Sequence, residues 1–472
     1  MTSAIPGFRR MADSARPPFG TATLPGLDAG ADLTGRDYVE EEFLAEGDAS
    51  AWAITERPGE PTPLGDPRRF VTRVLVRRPR DPERASGTVH LEPLHPMQEE
   101  ALTWSAAGAA FTRAGDAWVG VTVYAHMAGF LRDAVDPERY AALDIPAPGL
   151  EWDILGGVAR ALRAGAVPGL RVSRTILSGW SATGTFTRLF VREGFARRHP
   201  GAIDGAVVVI SSGGAGDAGY PALSPGSPAP APDDPRRTIR DAGIPVFEVL
   251  SECESETHEH QTRDDSDDPG DRYRLYQVAG TGHIESWARG RLANSTQLAA
   301  LGRQLPGTPI HERLSDGRLD LVVRALLTRM DDWIAGRGVP PHAPRLSHDG
   351  PVRDNGRDLL RDADGNAVGG IRTPWIAAPL GRYHPHATVA PDAPPMPEWV
   401  PFRDPALAAW LRAIVDPFPA ERVLARFGSE DGYLAQFTAA TRALEDAGLL
   451  LEPDARELLD SAPARWAAAT RP

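Results

Sequence analysis

Cysteine is almost missing from this chain: Cys253 is the only one in 472 residues. No intramolecular disulfide can form, so the fold does not draw on an oxidising compartment. Long apolar runs are missing too, and nothing approaches the roughly 18 consecutive apolar residues that span a bilayer. The opening residues, MTSAIPGFRRMADSARPPFG, lack the apolar stretch of a secretory signal. Positive charge is in deficit, with 51 Lys and Arg against 64 Asp and Glu and a formal net charge of -13. A nucleic-acid surface needs a basic face, and charge-driven docking on an anionic membrane needs one as well. The expectation is a soluble cytoplasmic protein with no nucleic-acid or membrane partner.

What is present is ordinary for a globular protein, with 42% hydrophobic and 24% charged residues. The length allows two or three domains, or one α/β core with additions. The 47 glycines and 45 prolines imply many turns. Residues 1–65 read as an irregular, Pro/Gly-rich extension holding one apolar-acidic segment, DYVEEEFLAEGDASAW. The first clear strand is RFVTRVLVRRP, with alternating Val and Leu, followed by GTVHLEPLHP and the continuous apolar run AWVGVTVY. Ala-rich and amphipathic helical segments fall between them, around 99–114 and in WDILGGVARALRAG.

Further strands follow in TILSGW, IDGAVVVISS, GIPVFEVLSE and YRLYQVAG. Alternating strands and helices predict an α/β fold, a mostly parallel sheet covered by helices, with every parallel strand ending on the edge where ligands bind. LDLVVRALLTRMDDWIAGRG reads as a closing helix, stopped by Gly336 or Gly338 and by the prolines at 340 and 341. The core is therefore placed at 66–345. A Gly/Pro/Ala-rich stretch at 211–240 is read as a loop or lid. Residues 346–472 are an appended region, loops and then helices, and the apolar GGIRTPWIAAPL within it predicts packing onto the core rather than a free tail.

The chemistry is concentrated in TILSGWSATGTFTRLF. A serine hydroxyl needs a base, an acid to orient that base, and backbone N–H groups to hold an oxyanion. A tight strand-to-helix turn would present Ser181 above the sheet, next to the free N–H of Ala182 at the helix start. The usual G-x-S-x-G elbow wants glycine at 183, where Thr183 stands; Gly184 comes one residue late. The bland alternative is a serine that only caps the helix. Downstream, PVFEVLSECE runs into Glu252 and Glu254, and AGTGHIESW sets His283 just past a later strand. Nucleophile, acid and histidine in that order match the α/β-hydrolase arrangement, with either glutamate as the acid. His95 follows the strand whose trailing loop normally supplies the second oxyanion donor; Pro96 has no N–H to give. His258 and His260 lie in an acid-dense loop, but no spacing there matches a zinc or calcium site.

The chain resembles a family of large α/β-hydrolase-domain proteins, through TRVLVRRP, GTVHLEPLHP, AWVGVTVY, DPERYAAL, YRLYQVAGTGH and above all GNAVGGIRTPWIAAPL. That family's elbow looks like G-x-S-Q-S-G, which Gly179, Ser181 and Gly184 match. Ala182 stands in place of glutamine and Thr183 in place of serine, and His95 stands where the family's strand-end signature has asparagine. The resemblance implies the α/β-hydrolase fold, with N- and C-terminal extensions packed on its core. It also implies a serine hydrolase acting on a carboxylic ester or other small acyl substrate, with no metal or other cofactor. Ser181 would be the nucleophile, His283 the base and Ala182 with the His95 loop the oxyanion hole. Aligned with hydrolase acid turns, Ser251 takes the small-residue position and Glu254 that of the acid, leaving Glu252 as the alternative. Amide hydrolysis, acyl transfer and a hydrolase-like binding protein without turnover are the rival expectations, and oligomeric state is not legible.

Overall fold

The structure, a computed structural model, describes residues 5–13, 16–23, 32–211, 220–231, 233–258, 261–288, 295–303, 310–352, 356–398 and 404–471. Its strands are β1 (Gly7–Arg10), β2 (Tyr38–Ala53), β3 (Thr62–Pro79), β4 (Thr88–Pro93), β5 (Ala117–Val121), β6 (Arg174–Trp180), β7 (Gly205–Val209), β8 (Val246–Leu250), β9 (Tyr273–Ala279), β10 (Ile371–Arg372), β11 (Gly381–His384) and β12 (Ile414–Pro417). Its α-helices are α1 (Leu102–Ala114), α2 (Ala125–Phe130), α3 (Glu151–Arg163), α4 (Ala182–Arg192), α5 (Phe195–Arg198), α6 (Glu252–Ser255), α7 (Ser295–Ala300), α8 (Leu319–Ile334), α9 (Pro374–Ala377), α10 (Pro405–Trp410), α11 (Ala420–Phe427), α12 (Glu430–Asp446) and α13 (Glu452–Ala469). They fall into two compact units: residues 1–247, 260–274 and 290–304, and residues 248–259, 275–289 and 305–472. No helix among the described residues is long and apolar enough to cross a membrane.

The first unit holds strands in the order β1-β2-β3-β5-β4-β6-β7. β1, β2, β3 and β5 pair antiparallel, whereas β5, β4, β6 and β7 run parallel and end on one edge. The parallel strands are buried throughout, as their unbroken apolar runs require. Leu91 of β4 pairs with Leu177 of β6. The same offset carried past the strand ends sets His95 level with Ser181.

The segment DYVEEEFLAEGDASAW, read from sequence as part of an irregular extension, is a strand. β2 pairs with β3 from Tyr38↔Pro79 to Ala53↔Thr62. Its glutamates hid it, because their partners lie on the other strand. Glu40 accepts from Arg77 at 2.8 Å and Glu42 from Arg73 at 2.5 Å. Glu42 also accepts from Arg139 Nε at 2.7 Å and the Tyr140 hydroxyl at 2.9 Å. Burial alone would raise the Glu42 pKa; Arg73 and Arg139 outweigh it and hold the carboxyl below its ordinary value. The Arg77 guanidinium lies over both the Trp104 and Trp118 rings, at 4.6 and 4.4 Å from their centroids, and the two cation–π contacts oppose part of its desolvation.

Residues 212–219 and 232 of the expected loop or lid lie outside the described residues. The neighbouring part is pinned within the first unit. The Tyr220 hydroxyl donates to Glu193, Trp152 Nε1 donates to the Leu223 carbonyl at 2.8 Å, and Ser224 Oγ bonds the Trp52 backbone in both directions.

The second unit is organised on β9. β10 pairs parallel to it, Ile371↔Val278 and Arg372↔Ala279, so GGIRTP lies beside the strand that leads to His283. Gly370 has φ +66°, and a side chain there would meet the Gln277 carbonyl. Trp375 and Ile376 follow in α9, buried, with Trp375 edge-on to Phe437 of α12. Tyr433 of α12 stacks on Trp466 of α13. The closing helix α8 ends at Ile334, capped by Ala335, with Gly336 at φ +69° behind it.

Glu42→Gln keeps the shape of the side chain but takes from buried Arg73 its nearest carboxylate, leaving only the longer pair to Glu99 at 3.5 Å. It is expected to cost about 3–5 kcal/mol of stability, read as a fall in the urea unfolding midpoint. A midpoint equal to wild type would refute the role of this pair.

Candidate active site

β6 delivers a buried strand to Trp180, and α4 starts at Ala182. Ser181 between them has φ 56° and ψ −122°. A residue with a Cβ in that region carries about 1–3 kcal/mol of strain, which persists only where the surroundings over-determine it. They do so here. Ser181 N donates to the Val209 carbonyl at 3.1 Å, tying the turn to the end of β7, and Thr185 N donates to the Ser181 carbonyl at 2.9 Å. Thr183 Oγ1 bonds both the N–H and the carbonyl of Trp180, each at 2.9 Å. A side chain at Gly179 would run into the Thr183 carbonyl, and one at Gly184 would come within 2.5 Å of the Val209 carbonyl. The second glycine is needed at 184 because α4 crosses β7 there; position 183 instead holds a buried hydroxyl. Ser181 sits at the N-cap position, but its side chain makes no capping bond to α4. The helix-cap alternative therefore fails. Ala182 opens the helix, and its N–H is one that α4 does not use.

His95 lies past β4, buried, in a turn closed by His95 N to the Glu100 carbonyl at 3.1 Å and Glu99 N to the His95 carbonyl at 2.9 Å. Its Nδ1 accepts from Met97 N at 3.3 Å, which places the proton of the neutral ring on Nε2. His126 Nε2 bonds the Pro96 carbonyl at 2.8 Å and so links the loops after β4 and β5.

In the second unit the acid and the histidine meet. Ser251 caps α6 with a capping box: its hydroxyl accepts from Cys253 N, and Glu254 reaches back to Ser251 N. Glu254 Oε2 takes the Ser251 hydroxyl at 2.5 Å. Its Oε1 accepts from His283 Nδ1 at 2.6 Å. Burial would raise the Glu254 pKa; the His283 charge and hydrogen bond, with Ser251, pull it down to about 2. Glu252 is engaged elsewhere. Its Oε1 accepts from Gly280 N and its Oε2 from Arg361, both at 2.5 Å, and burial raises its pKa. His283 follows a turn in which Gly280 has φ +75° and packs too closely on Ile376 for any side chain.

The protein-family comparison decides what the sequence resemblance suggested: residues 13–460 match the family described as Alpha/beta hydrolase domain. The chain belongs to that family. The α/β-hydrolase fold expected from the sequence, a large and mostly parallel sheet with helices, is the family's fold. No curated protein sequence matches the chain significantly. Among solved structures it is similar to methylesterase BT1017 at 13% identity and TM-score 0.27, over 46% of this chain and 42% of that one. It is similar to a putative dienelactone hydrolase from Klebsiella pneumoniae at 12% identity and TM-score 0.27, over 55% of this chain and 99% of that one. It is also similar to an esterase from Rhizomucor miehei at 15% identity and TM-score 0.30, over 55% of this chain and 83% of that one. The family match, not these partial overlaps, carries the assignment.

In this α/β-hydrolase domain, Cys253 joins Glu254 and His283 in a group whose ligand atoms lie within 4.8 Å of one another. Its chemistry does not favour a cation. Burial raises the Cys253 thiol pKa well above the ordinary value, and Glu254 raises it further, so the thiol is protonated and the carboxylate already serves His283. His258 is buried near Glu254 and lowers its pKa; His260 lies outside the described residues. Sequence reasoning missed Arg361, Glu256 and His386. Glu256 accepts from both Arg361, at 2.8 Å, and His386, at 3.0 Å.

A carboxyl held at about 2 stabilises the fold fully above its unfolded pKa of about 4.3, and that stabilisation is lost as pH falls towards 2. The shift corresponds to about 3 kcal/mol. Glu254→Gln should therefore flatten the decline of unfolding free energy between about pH 4.5 and 2, as read by urea titrations at each pH. A decline as steep as in wild type would count against an ionised Glu254.

Proposed function

We propose that this protein is a serine hydrolase that cleaves small carboxylic esters through an acyl-enzyme. The observation that carries the reading is the bond from His283 Nδ1–H to the ionised Glu254. A carboxylate on Nδ1 fixes the tautomer and leaves Nε2 as the basic nitrogen. Such an imidazole serves a hydroxyl nucleophile, and the strained elbow presents one in Ser181.

In the reaction Ser181 Oγ attacks the ester carbonyl carbon while His283 Nε2 takes its proton. The tetrahedral oxyanion is held by the Ala182 N–H, by the positive end of α4 and by a donor from the His95 loop. Collapse breaks the bond to the leaving alcohol, which takes the proton from the imidazolium. Water then attacks the acyl-serine and gives a proton to His283 Nε2; collapse breaks the bond to Ser181 Oγ, which takes that proton back, and releases the carboxylic acid. Glu254 stays ionised throughout and stabilises the imidazolium. No cofactor enters any step.

Ser181→Ala should lower turnover of an activated ester such as p-nitrophenyl acetate by about 10⁴- to 10⁶-fold with the fold intact. A fluorophosphonate probe should label wild-type protein on the peptide that contains Ser181 and leave the variant unlabelled. Glu254→Gln should cost far more turnover than Glu252→Gln. Near-wild-type hydrolysis by Ser181→Ala, or labelling at another residue, would defeat the reading.

A further inference from the structure

We propose that Arg361 is a positioning residue for the acid–histidine pair, a clamp that holds the two glutamates on either side of Glu254. The inference rests on the reading of Glu254 and His283 given above.

α6 is one turn, Glu252–Ser255, far too short to hold its own shape. With its C-cap residue it presents Glu252, Glu254 and Glu256 within five residues, and Glu252 and Glu256 share one face at i, i+4 spacing. Like charges so placed repel, and Glu252 and Glu254 are buried. Arg361 answers both with one planar group. One guanidinium nitrogen bonds Glu252 Oε2 at 2.5 Å and the other bonds Glu256 Oε1 at 2.8 Å. Glu252 passes the constraint on. Its remaining oxygen accepts from Gly280 N at 2.5 Å, and its own N–H donates to the Thr281 carbonyl at 3.2 Å. Gly280 and Thr281 form the turn that carries His283. Arg361 is thus connected through Glu252 to both members of the pair without touching either.

The segment that carries Arg361 is built for this support. Bridges Leu346↔Gly369, His348↔Leu359 and Arg361↔Ala367 fold it back on itself. His348 Nε2 bonds the Ser255 carbonyl at 3.1 Å, and Arg357 N donates to the Glu256 carbonyl at 2.9 Å. These carbonyls lie at the end of a helix, where no intrahelical partner exists. His386 adds a third hold on Glu256 and is itself stacked on Trp410 at 4.1 Å. Lysine could replace the arginine only in part, because a point charge cannot bond two carboxylates at once in one plane.

The test compares variants on p-nitrophenyl acetate. Arg361→Ala should lower kcat by about ten- to a hundred-fold with KM unchanged, as a misplaced catalytic group does. Arg361→Lys should fold normally and recover part of that loss, and added guanidinium should restore Arg361→Ala. The control is the double variant Arg422→Ala, Arg426→Ala, which removes both ion pairs to Asp364 at the tip of the same segment and should keep wild-type kinetics. Wild-type kcat in Arg361→Ala overturns the inference, as does a control that loses equal activity. If Arg361→Ala does not accumulate as folded protein, Arg361→Lys decides: wild-type kcat there overturns the inference. An inert Ser181→Ala beside a fully active Arg361→Ala sinks the clamp alone, whereas an active Ser181→Ala sinks the hydrolase reading and the clamp with it.

Discussion

A carboxylate can orient an imidazole from inside a protein only while it stays ionised there, and burial works against that charge. At Glu254 the opposition is met by a division of labour between its two oxygens. One takes the Nδ1–H of His283, and the other takes the hydroxyl and N–H of Ser251. The second set of bonds is a helix cap, so the orientation of a proposed catalytic base is inherited from the start of α6. The neighbouring Cys253 is kept as a thiol first by burial and then by the same charge, which leaves the carboxylate to His283. Everything that steadies α6 therefore steadies the imidazole, and the turn at Gly280 closes the loop through Glu252.

The first unit solves a similar problem with strands. Arg73 and Arg77 lie on a face of β3 that is buried, and their charges are met by acids from β2, by Arg139-linked Glu42 and by two tryptophan faces. Breaking one member of such a set leaves a buried charge short of its partner, which costs far more than the intact set contributes. These pairs fix β2 against β3 and β3 against β5. β5, β4 and β6 follow in register, and the elbow stands at the end of β6.

The parallel strands were legible because they are buried on both faces and read as plain apolar runs. β2 was not, since its glutamates look solvated until the arginines opposite them are known. The expected order of serine, acid and histidine came from strand and turn patterns, and Glu254 was preferred to Glu252 only by aligning Ser251 with the small residue of hydrolase acid turns. Both sit in the first turn of α6, and only the directions of their side chains separate a bond to His283 from one to Gly280. Arg361 was invisible for another reason. It lies more than a hundred residues from the glutamates it holds, in a polar tract whose visible signal is the turn at DADG. Sequence patterns report local conformation and burial; a clamp between distant polar residues leaves neither trace.

The elbow shows how a departure from a motif can keep its physics. A glycine after the serine is there to let helix and strand approach, and the point of closest approach decides where it must fall. Here α4 meets the Val209 carbonyl at residue 184, so the glycine is required at that position and not at 183. Position 183 is then open to a side chain that can earn its place, and the Thr183 hydroxyl ties back to both polar groups of Trp180. Two hydrogen bonds across the turn, with the tie from Ser181 N to β7, oppose the strain stored at Ser181. The threonine that weakens the motif match is thus part of what holds the serine in its unusual conformation.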